Sequence, residues 1–263
     1  MIDERLASQL AALDAGEFRF LRGKLLWSRI FPGFFRLAPS DVVLNAGVGQ
    51  GPQVLTYGGA CRLMVGVDVS EPSLRRSLTA TRLCGITNYA AVCADAEALP
   101  FRDGVFDRIL AVDIVSVVDH PDRLCDEMRR VLQSGGEMLM TFPGLQLRLR
   151  HLAARIGRTL RRFSGSAPRP SHRSRPRRLP RMAPLPEWLQ LLAGHGFRLV
   201  RAEATSIVPP LHWLGLSRFW FRNEQIFAAD RMISRMPAMQ FLAQAVMAVF
   251  ARRSAGPASE DVR

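Results

Sequence analysis

One stretch of eight residues constrains this chain more than any other: Leu44-Asn45-Ala46-Gly47-Val48-Gly49-Gln50-Gly51. The apolar run Asp41-Val42-Val43-Leu44-Asn45 feeds directly into three glycines at alternate positions. Such a short run, rich in branched side chains, reads as a buried strand. Alternate glycines let the backbone turn sharply and leave main-chain atoms open to a ligand that a Cβ would block. Residues 51–58 then read as a helix whose N-terminus faces that ligand. A second apolar run, Leu63 to Asp68, ends on an acid 17 residues after Gly51. A carboxylate there can accept both hydroxyls of a ribose. Alone, Asp68 would read equally well as a helix cap or turn residue; after the glycine turn, binding is the better reading.

The rest of the chain keeps a strand–helix rhythm. Residues 5–13 and 17–30 read as helices, broken by Pro32 and Gly33. Ser73 to Cys84 reads as a helix, Asn88 to Cys93 as a third strand and Arg108 to Ile114 as a fourth. Pro121 to Leu132 reads as a helix with Pro at its start and Gly135-Gly136 at its end. Glu137 to Phe142, Arg198 to Ala204 and Gln244 to Ala251 supply three more strands, with a helix at Pro186 to Ala193. This alternation predicts a doubly wound, mostly parallel sheet. The chain divides into a helical cap (1–40), a core (41–144), a basic insertion (145–185) and a C-terminal part of the sheet (186–263) that carries an apolar insertion at about 206–240.

Charge separates the core from the first insertion. The formal net charge is +13, and the twelve arginines between Leu145 and Pro186, with no Asp or Glu among them, supply +12 of it. A near-neutral core with one basic segment suggests a local contact with something anionic, not a uniformly nucleic-acid-binding surface. Cys61, Cys84, Cys93 and Cys125 form no C-x-x-C pair, which fits a reducing compartment. The five histidines show no H-x-x-x-H spacing, so no metal site is expected. The start, Met1-Ile2-Asp3-Glu4-Arg5, has no apolar leader. The best apolar segment, Ala238 to Ala251, is too short to span a bilayer and contains Gln240 and Gln244. The expected location is the cytoplasm, with peripheral contact to the inner face of a membrane.

Four blocks occur in order, at Val43 to Gly51, Val65 to Ser70, Asp95 to Asp107 and Glu127 to Gly136, and together they resemble the class I S-adenosylmethionine (SAM)-dependent methyltransferases, close to the ubiquinone/menaquinone type. The family's V-L-D-x-G-C-G-x-G resembles Val43 to Gly51, and its ribose acid is matched in Val65-Gly66-Val67-Asp68-Val69-Ser70. Its D-A-E-x-L-P-F-x-D-x-x-F-D resembles the segment from Asp95 to Asp107, and its E-x-x-R-V-L-K-P-G-G resembles Glu127 to Gly136. The resemblance covers about residues 40–143, with a weaker tail at 186–204. It implies an α/β, Rossmann-like, doubly wound, mostly parallel seven-stranded sheet with helical insertions, and SAM as the cofactor. A G-x-G-x-G turn suits a ligand without a pyrophosphate better than G-x-G-x-x-G would.

The resemblance also implies roles. Asn45 would meet the methionine ammonium, and Gly47, Gly49 and Gly51 would form the methionine-side loop. Asp68 would hold the ribose with Val69 beside the adenine, Asp95 and Ala96 would bind the adenine edge, and Asp113 would lie near the methionine end. Two departures stand out: Asn45 replaces an acid, and Ser116-Val117 replaces a frequent His-His pair. Candidates for a catalytic base are therefore His120 and Asp119, with His151 and His212 behind them. His120 reads better as a loop residue preceding Pro121 than as a base.

In the basic insertion, Leu145, Leu149, Leu152, Ile156, Leu160 and Phe163 make one apolar stripe opposite Arg148, Arg155, Arg158, Arg161 and Arg162. A lid helix, an anionic membrane surface reached through 145–181, and RNA are the readings, with RNA the weakest. Residues Leu211 to Phe227 are apolar and aromatic, which fits core packing or a greasy acceptor pocket. The expected partner is a small-molecule, lipid-like or lipid-linked acceptor. An RNA methyltransferase and a non-catalytic SAM-binding scaffold are the alternatives; a nicotinamide-dependent dehydrogenase would leave the third and fourth blocks unexplained.

Overall fold

The computed structural model describes residues 8–9, 11–13, 16, 18–145, 147–149, 152, 183–205, 232–233, 243 and 245–253. Two short helices, α1 (Arg19–Ser28) and α2 (Phe31–Phe34), precede β1 (Val42–Ala46). Then come α3 (Pro52–Tyr57), β2 (Leu63–Asp68), α4 (Glu71–Leu83), β3 (Tyr89–Cys93) and β4 (Phe106–Ala111). A 3-10 turn at Ile114–Ser116 leads to α5 (Pro121–Val131), β5 (Leu132–Pro143), α6 (Leu185–Gly194), β6 (Phe197–Thr205) and β7 (Ala245–Arg252). The strands form one seven-stranded sheet in the order β3-β2-β1-β4-β5-β7-β6. The first five are parallel, and β7 runs antiparallel to both neighbours.

The alternation of buried positions along each strand builds two layers. Leu44, Ile109, Met140 and Phe250 face one layer, which packs against Leu124 and Met128 of α5 and Trp188 of α6. Val43, Leu110, Leu139 and Val249 face the other, which packs against Phe31, Phe34 and Tyr57. All five residues of β1 are buried, as expected for the central strand of a sheet covered on both faces.

Several boundaries differ from expectation. Pro32 and Gly33 do not end helical structure; Pro32 occupies the first turn of α2, where its missing N–H costs nothing. Helix α4 starts two residues earlier than expected, because Ser70 Oγ accepts from Ser73 N at 3.4 Å and caps it. Strand β4 stops at Ala111, not at Ile114. Asp113 therefore does not end a strand: it lies beyond it in the left-handed region at φ 60°. Gly135-Gly136 does not cap α5 either; β5 begins at Leu132 and runs through both glycines. A Cβ on Gly136 would come within 2.9 Å of the Asp107 carbonyl, so the glycine permits the close approach of β4 to β5 where their register shifts.

Most of the 145–185 and 206–240 insertions, with His151 and His212, lies outside the described residues. Among the described residues no helix is long and apolar enough to cross a membrane.

Candidate active site

The glycine turn leaves β1 between β2 and β4, at the carboxyl edge of the sheet where strand order reverses. Gly47 N and Val48 N both donate to Val67 O, at 2.8 and 3.0 Å, tying the turn to β2. Gly47, Gly49 and Gly51 all have positive φ, at 69°, 53° and 84°. Their surroundings differ. A Cβ on Gly47 would lie 3.2 Å from Ile114, and one on Gly51 would lie 3.1 Å from Ser77 Cβ. A Cβ on Gly49 would meet nothing within 4 Å. Gly47 and Gly51 are held by protein, whereas Gly49 borders open space.

Asp68 closes this space on the β2 side. Its Oδ2 accepts from Gly49 N at 2.9 Å and its Oδ1 from Ser70 N at 2.8 Å. Those two bonds fix the carboxylate beside the turn. Val69, the next residue, is 70% exposed, so its side chain is open to a flat ligand beside Asp68. Below the turn, Asn45 is 1% exposed, and neither its Oδ1 nor its Nδ2 has a hydrogen-bond partner among the described residues. Gln50 Oε1 is likewise buried without one. Orphaned amides at the foot of a glycine turn are what an absent polar ligand would satisfy.

The third and fourth sequence blocks meet in space, and their meeting is structural. Glu127 Oε2 accepts from Leu99 N at 2.6 Å. Arg130 donates to Phe101 O at 2.6 Å, Leu99 O at 3.0 Å and Asp103 Oδ1 at 2.9 Å, and it is gripped by both oxygens of Glu127. The Arg130 hydrogen bond holds the Glu127 carboxyl below its ordinary range, helped by Leu99 N against the opposing effect of burial. One guanidinium thus fastens the loop after β3 to α5.

That loop carries Asp95, Ala96 and Glu97. Asp95 Oδ1 accepts from Glu97 N at 2.9 Å in a tight turn, and Ala96 is buried. Glu97 then reaches the loop after β4: Oε1 accepts from Asp119 N and His120 N at 2.5 and 2.9 Å, and Oε2 lies 2.7 Å from His120 Nδ1. Burial acts to raise the Glu97 pKa, but the backbone N–H of His120, the His120 ring and Asp119 N together outweigh it and hold the carboxyl low. Of the sequence candidates, the structure gathers Asn45, Gly47, Gly49, Gly51, Asp68 and Val69 around the turn. Through Glu97 it joins Asp95 and Ala96 to Asp119 and His120. Asp113 is paired with Lys24 Nζ of α1.

Sequence reasoning missed Glu97, Gln50, Thr141 and Lys24 as members of this region. Glu97 lay within a recognised block and could have been found by asking which acid of that block had no assigned partner. Lys24 left no signal, because its contact with Asp113 spans 89 residues.

Comparison with known proteins agrees with this architecture. Residues 44–140 match the family described as a methyltransferase domain. A phosphatidylethanolamine N-methyltransferase of Cereibacter sphaeroides is 34% identical over 99 residues, covering 37% of this chain and 48% of that protein. A demethylmenaquinone methyltransferase of Mycolicibacterium vanbaalenii is 33% identical over 129 residues, covering 49% of this chain and 50% of that protein. The chain thus spans about half the length of these curated relatives. A SAM-dependent methyltransferase of Aquifex aeolicus shares the fold at 13% identity, with a TM-score of 0.55 over 91% of this chain and 99% of that one. Residues 44–140 thus carry the match to a methyltransferase domain, and the α/β core is similar to the class I SAM-dependent methyltransferases.

The cofactor that this family implies is SAM. The residues present fit it: an open glycine cradle at Gly49, a fixed carboxylate at Asp68, an exposed apolar platform at Val69 and unpartnered amides at Asn45 and Gln50.

Proposed function

We propose that this chain transfers a methyl group from SAM to a small, lipid-like acceptor. The observation that carries the reading is the Gly49–Asp68 pair: an open main-chain surface with a carboxylate fixed 2.9 Å from it, at the switch point of the sheet. Asp68 would accept from the ribose hydroxyls, Val69 would support the adenine, and Asp95 with the Ala96 main chain would bind the adenine edge. Asn45 and the Gly47–Gly51 turn would receive the methionine end.

When bound, SAM supplies an electrophilic methyl on a sulfonium. The acceptor would form the new bond as the carbon–sulfur bond broke, with a neutral thioether leaving. The protein's task is then to orient the acceptor and exclude water. An acceptor that must lose a proton needs a base. The Glu97 carboxylate can only accept, so Nδ1 of His120 carries a proton in that contact, and in the neutral ring Nε2 is the acceptor. That makes His120 the group to receive the acceptor's proton, with Asp119 beside it in the same loop.

The lipid-like acceptor is supported by the names of the relatives, which act on phosphatidylethanolamine and demethylmenaquinone. It is also supported by Leu149 and Leu152, three residues apart and 54% and 51% exposed next to the exposed Arg148. An apolar pair flanked by a cation suits the surface of an anionic membrane.

The test is to incubate the protein with methyl-labelled SAM and, separately, a total lipid extract, a quinone fraction and RNA. Label in a lipid or quinone product supports the reading. Label only in RNA, or in none of the three with SAM demonstrably bound, overturns the acceptor class.

A further inference from the structure

Helix α1 brings a cation to Asp113, whose neighbour Ile114 borders the glycine turn. Lys24 Nζ lies 2.5 Å from Asp113 Oδ2 and 5.5 Å from the centre of the Trp27 ring. Asp113 N donates to the buried Thr141 Oγ1 at 2.8 Å, and the Thr141 hydroxyl reaches Asp113 Oδ1 at 3.4 Å. The left-handed conformation of Asp113 is thus held from β5. The next residue, Ile114, is the side chain that a Cβ on Gly47 would strike. Asp113 therefore shares one corner of the sheet with Gly47.

The charges at this end of the sheet are unevenly satisfied. Asp68 is held by main-chain N–H groups of its own loop and of the glycine turn, and Glu97 by those of the loop after β4. The Asp113 carboxylate is met instead by a long, flexible side chain from a different element, and the pair is 35% and 49% exposed. Asn45, at the foot of the same turn, brings no charge. Asp113 is the carboxylate here that a side-chain cation meets, so an amino-acid ammonium entering on the Gly47 side of the turn would compete with Lys24 for it.

We infer that Lys24 is an internal stand-in for the α-ammonium of the donor. In the free protein its Nζ neutralises Asp113. When the donor binds, the methionyl ammonium takes the Asp113 carboxylate and Lys24 withdraws to solvent along its stem over Trp27. The pair is solvent-screened, so the exchange is inexpensive. Lys24 then acts as a positioning residue that lowers affinity for the amino-acid end of the ligand and leaves the adenosyl end untouched. This inference rests on the proposed SAM reading.

Two ligands separate the ends. S-adenosylhomocysteine carries the amino-acid group; 5′-methylthioadenosine keeps the adenosine and thioether without it. Both are titrated calorimetrically into the full chain, its Lys24→Met variant and its Asp113→Asn variant. Met retains the stem over Trp27, and Asn tolerates a positive φ. Lys24→Met should tighten S-adenosylhomocysteine about two- to fivefold. Asp113→Asn should weaken it about tenfold. Neither should move methylthioadenosine. Weaker S-adenosylhomocysteine binding in Lys24→Met, or equal shifts for both ligands, overturns the inference while leaving the SAM reading intact. Failure of the unaltered, folded chain to bind either ligand overturns both.

Discussion

Glu97 and His120 face each other across two loops, with Oε2 of the acid 2.7 Å from Nδ1 of the ring. The same carboxylate receives the N–H groups of Asp119 and His120, so one side chain anchors the whole turn after β4. Its folded pKa is lowered. A lowered carboxyl pKa contributes stability above its unfolded value, about 4.3 for Glu, and loses it as pH falls through the folded value. Urea midpoints of the protein should therefore fall below about pH 4.3, and Glu97→Gln should flatten part of that fall. At neutral pH the variant should be less stable by about 1–3 kcal/mol. An unchanged acid limb in Glu97→Gln would remove Glu97 from this role.

Arg130 should not be replaceable by Lys. Its guanidinium serves two carbonyls and two carboxylates at once, a fork that a single ammonium cannot reproduce. Arg130→Ala should cost about 1–3 kcal/mol in chemical denaturation, and Arg130→Lys should recover little of it. Equal stability of the Lys variant and the native chain would show that charge alone holds the loop.

The three glycines of the turn should separate under substitution by Ala. At Gly49 a methyl meets only open space, so the stability cost is backbone strain of about 1–2 kcal/mol, while the methyl intrudes on the proposed ligand surface. At Gly51 the same strain is joined by a contact at 3.1 Å with Ser77. Gly49→Ala should thus lose more affinity for S-adenosylhomocysteine per unit of lost stability than Gly51→Ala. Paired calorimetric and denaturation measurements read both quantities. The reverse order would place the ligand elsewhere.

Asn45 offers a test of charge at the foot of the turn. Asn45→Asp puts a carboxylate where 1% of the residue is exposed and no partner is present among the described residues. The ligand-free variant should be destabilised by about 2 kcal/mol or more. A ligand with an ammonium should raise its melting temperature more than that of the native chain, and 5′-methylthioadenosine should not. Equal thermal shifts with the two ligands would separate Asn45 from the methionine end.

Much of this architecture was legible in the residues. The β1–turn–β2 unit announced itself because an uncharged strand, three glycines and an acid each have a local physical cause. The strand–helix alternation predicted the sheet for the same reason. Legibility failed where the cause was tertiary. Gly135-Gly136 looked like a helix stop, since nothing nearby in sequence shows that β4 approaches so closely there. Asp113 looked like a strand end because Val112 and Ile114 are apolar, whereas Thr141 of β5 and Lys24 of α1 are what hold its turn. The Glu127–Arg130 pair was recognised as a pattern, but its purpose, fastening the loop at Leu99 to Asp103, could be read only in three dimensions.

The place of β7 bears on how the chain assembles as it is made. Among the described residues strand β6 pairs only with β7, yet β7 is the later of the two along the chain. During synthesis the five parallel strands, with every residue of the glycine turn and of the loops after β3 and β4, can come together first. Strand β6 then waits without a neighbour until Ala245–Arg252 slides between it and β5. The proposed donor cradle is thus finished before the sheet is, and an interrupted chain would leave the edge of β5 uncovered and prone to self-association.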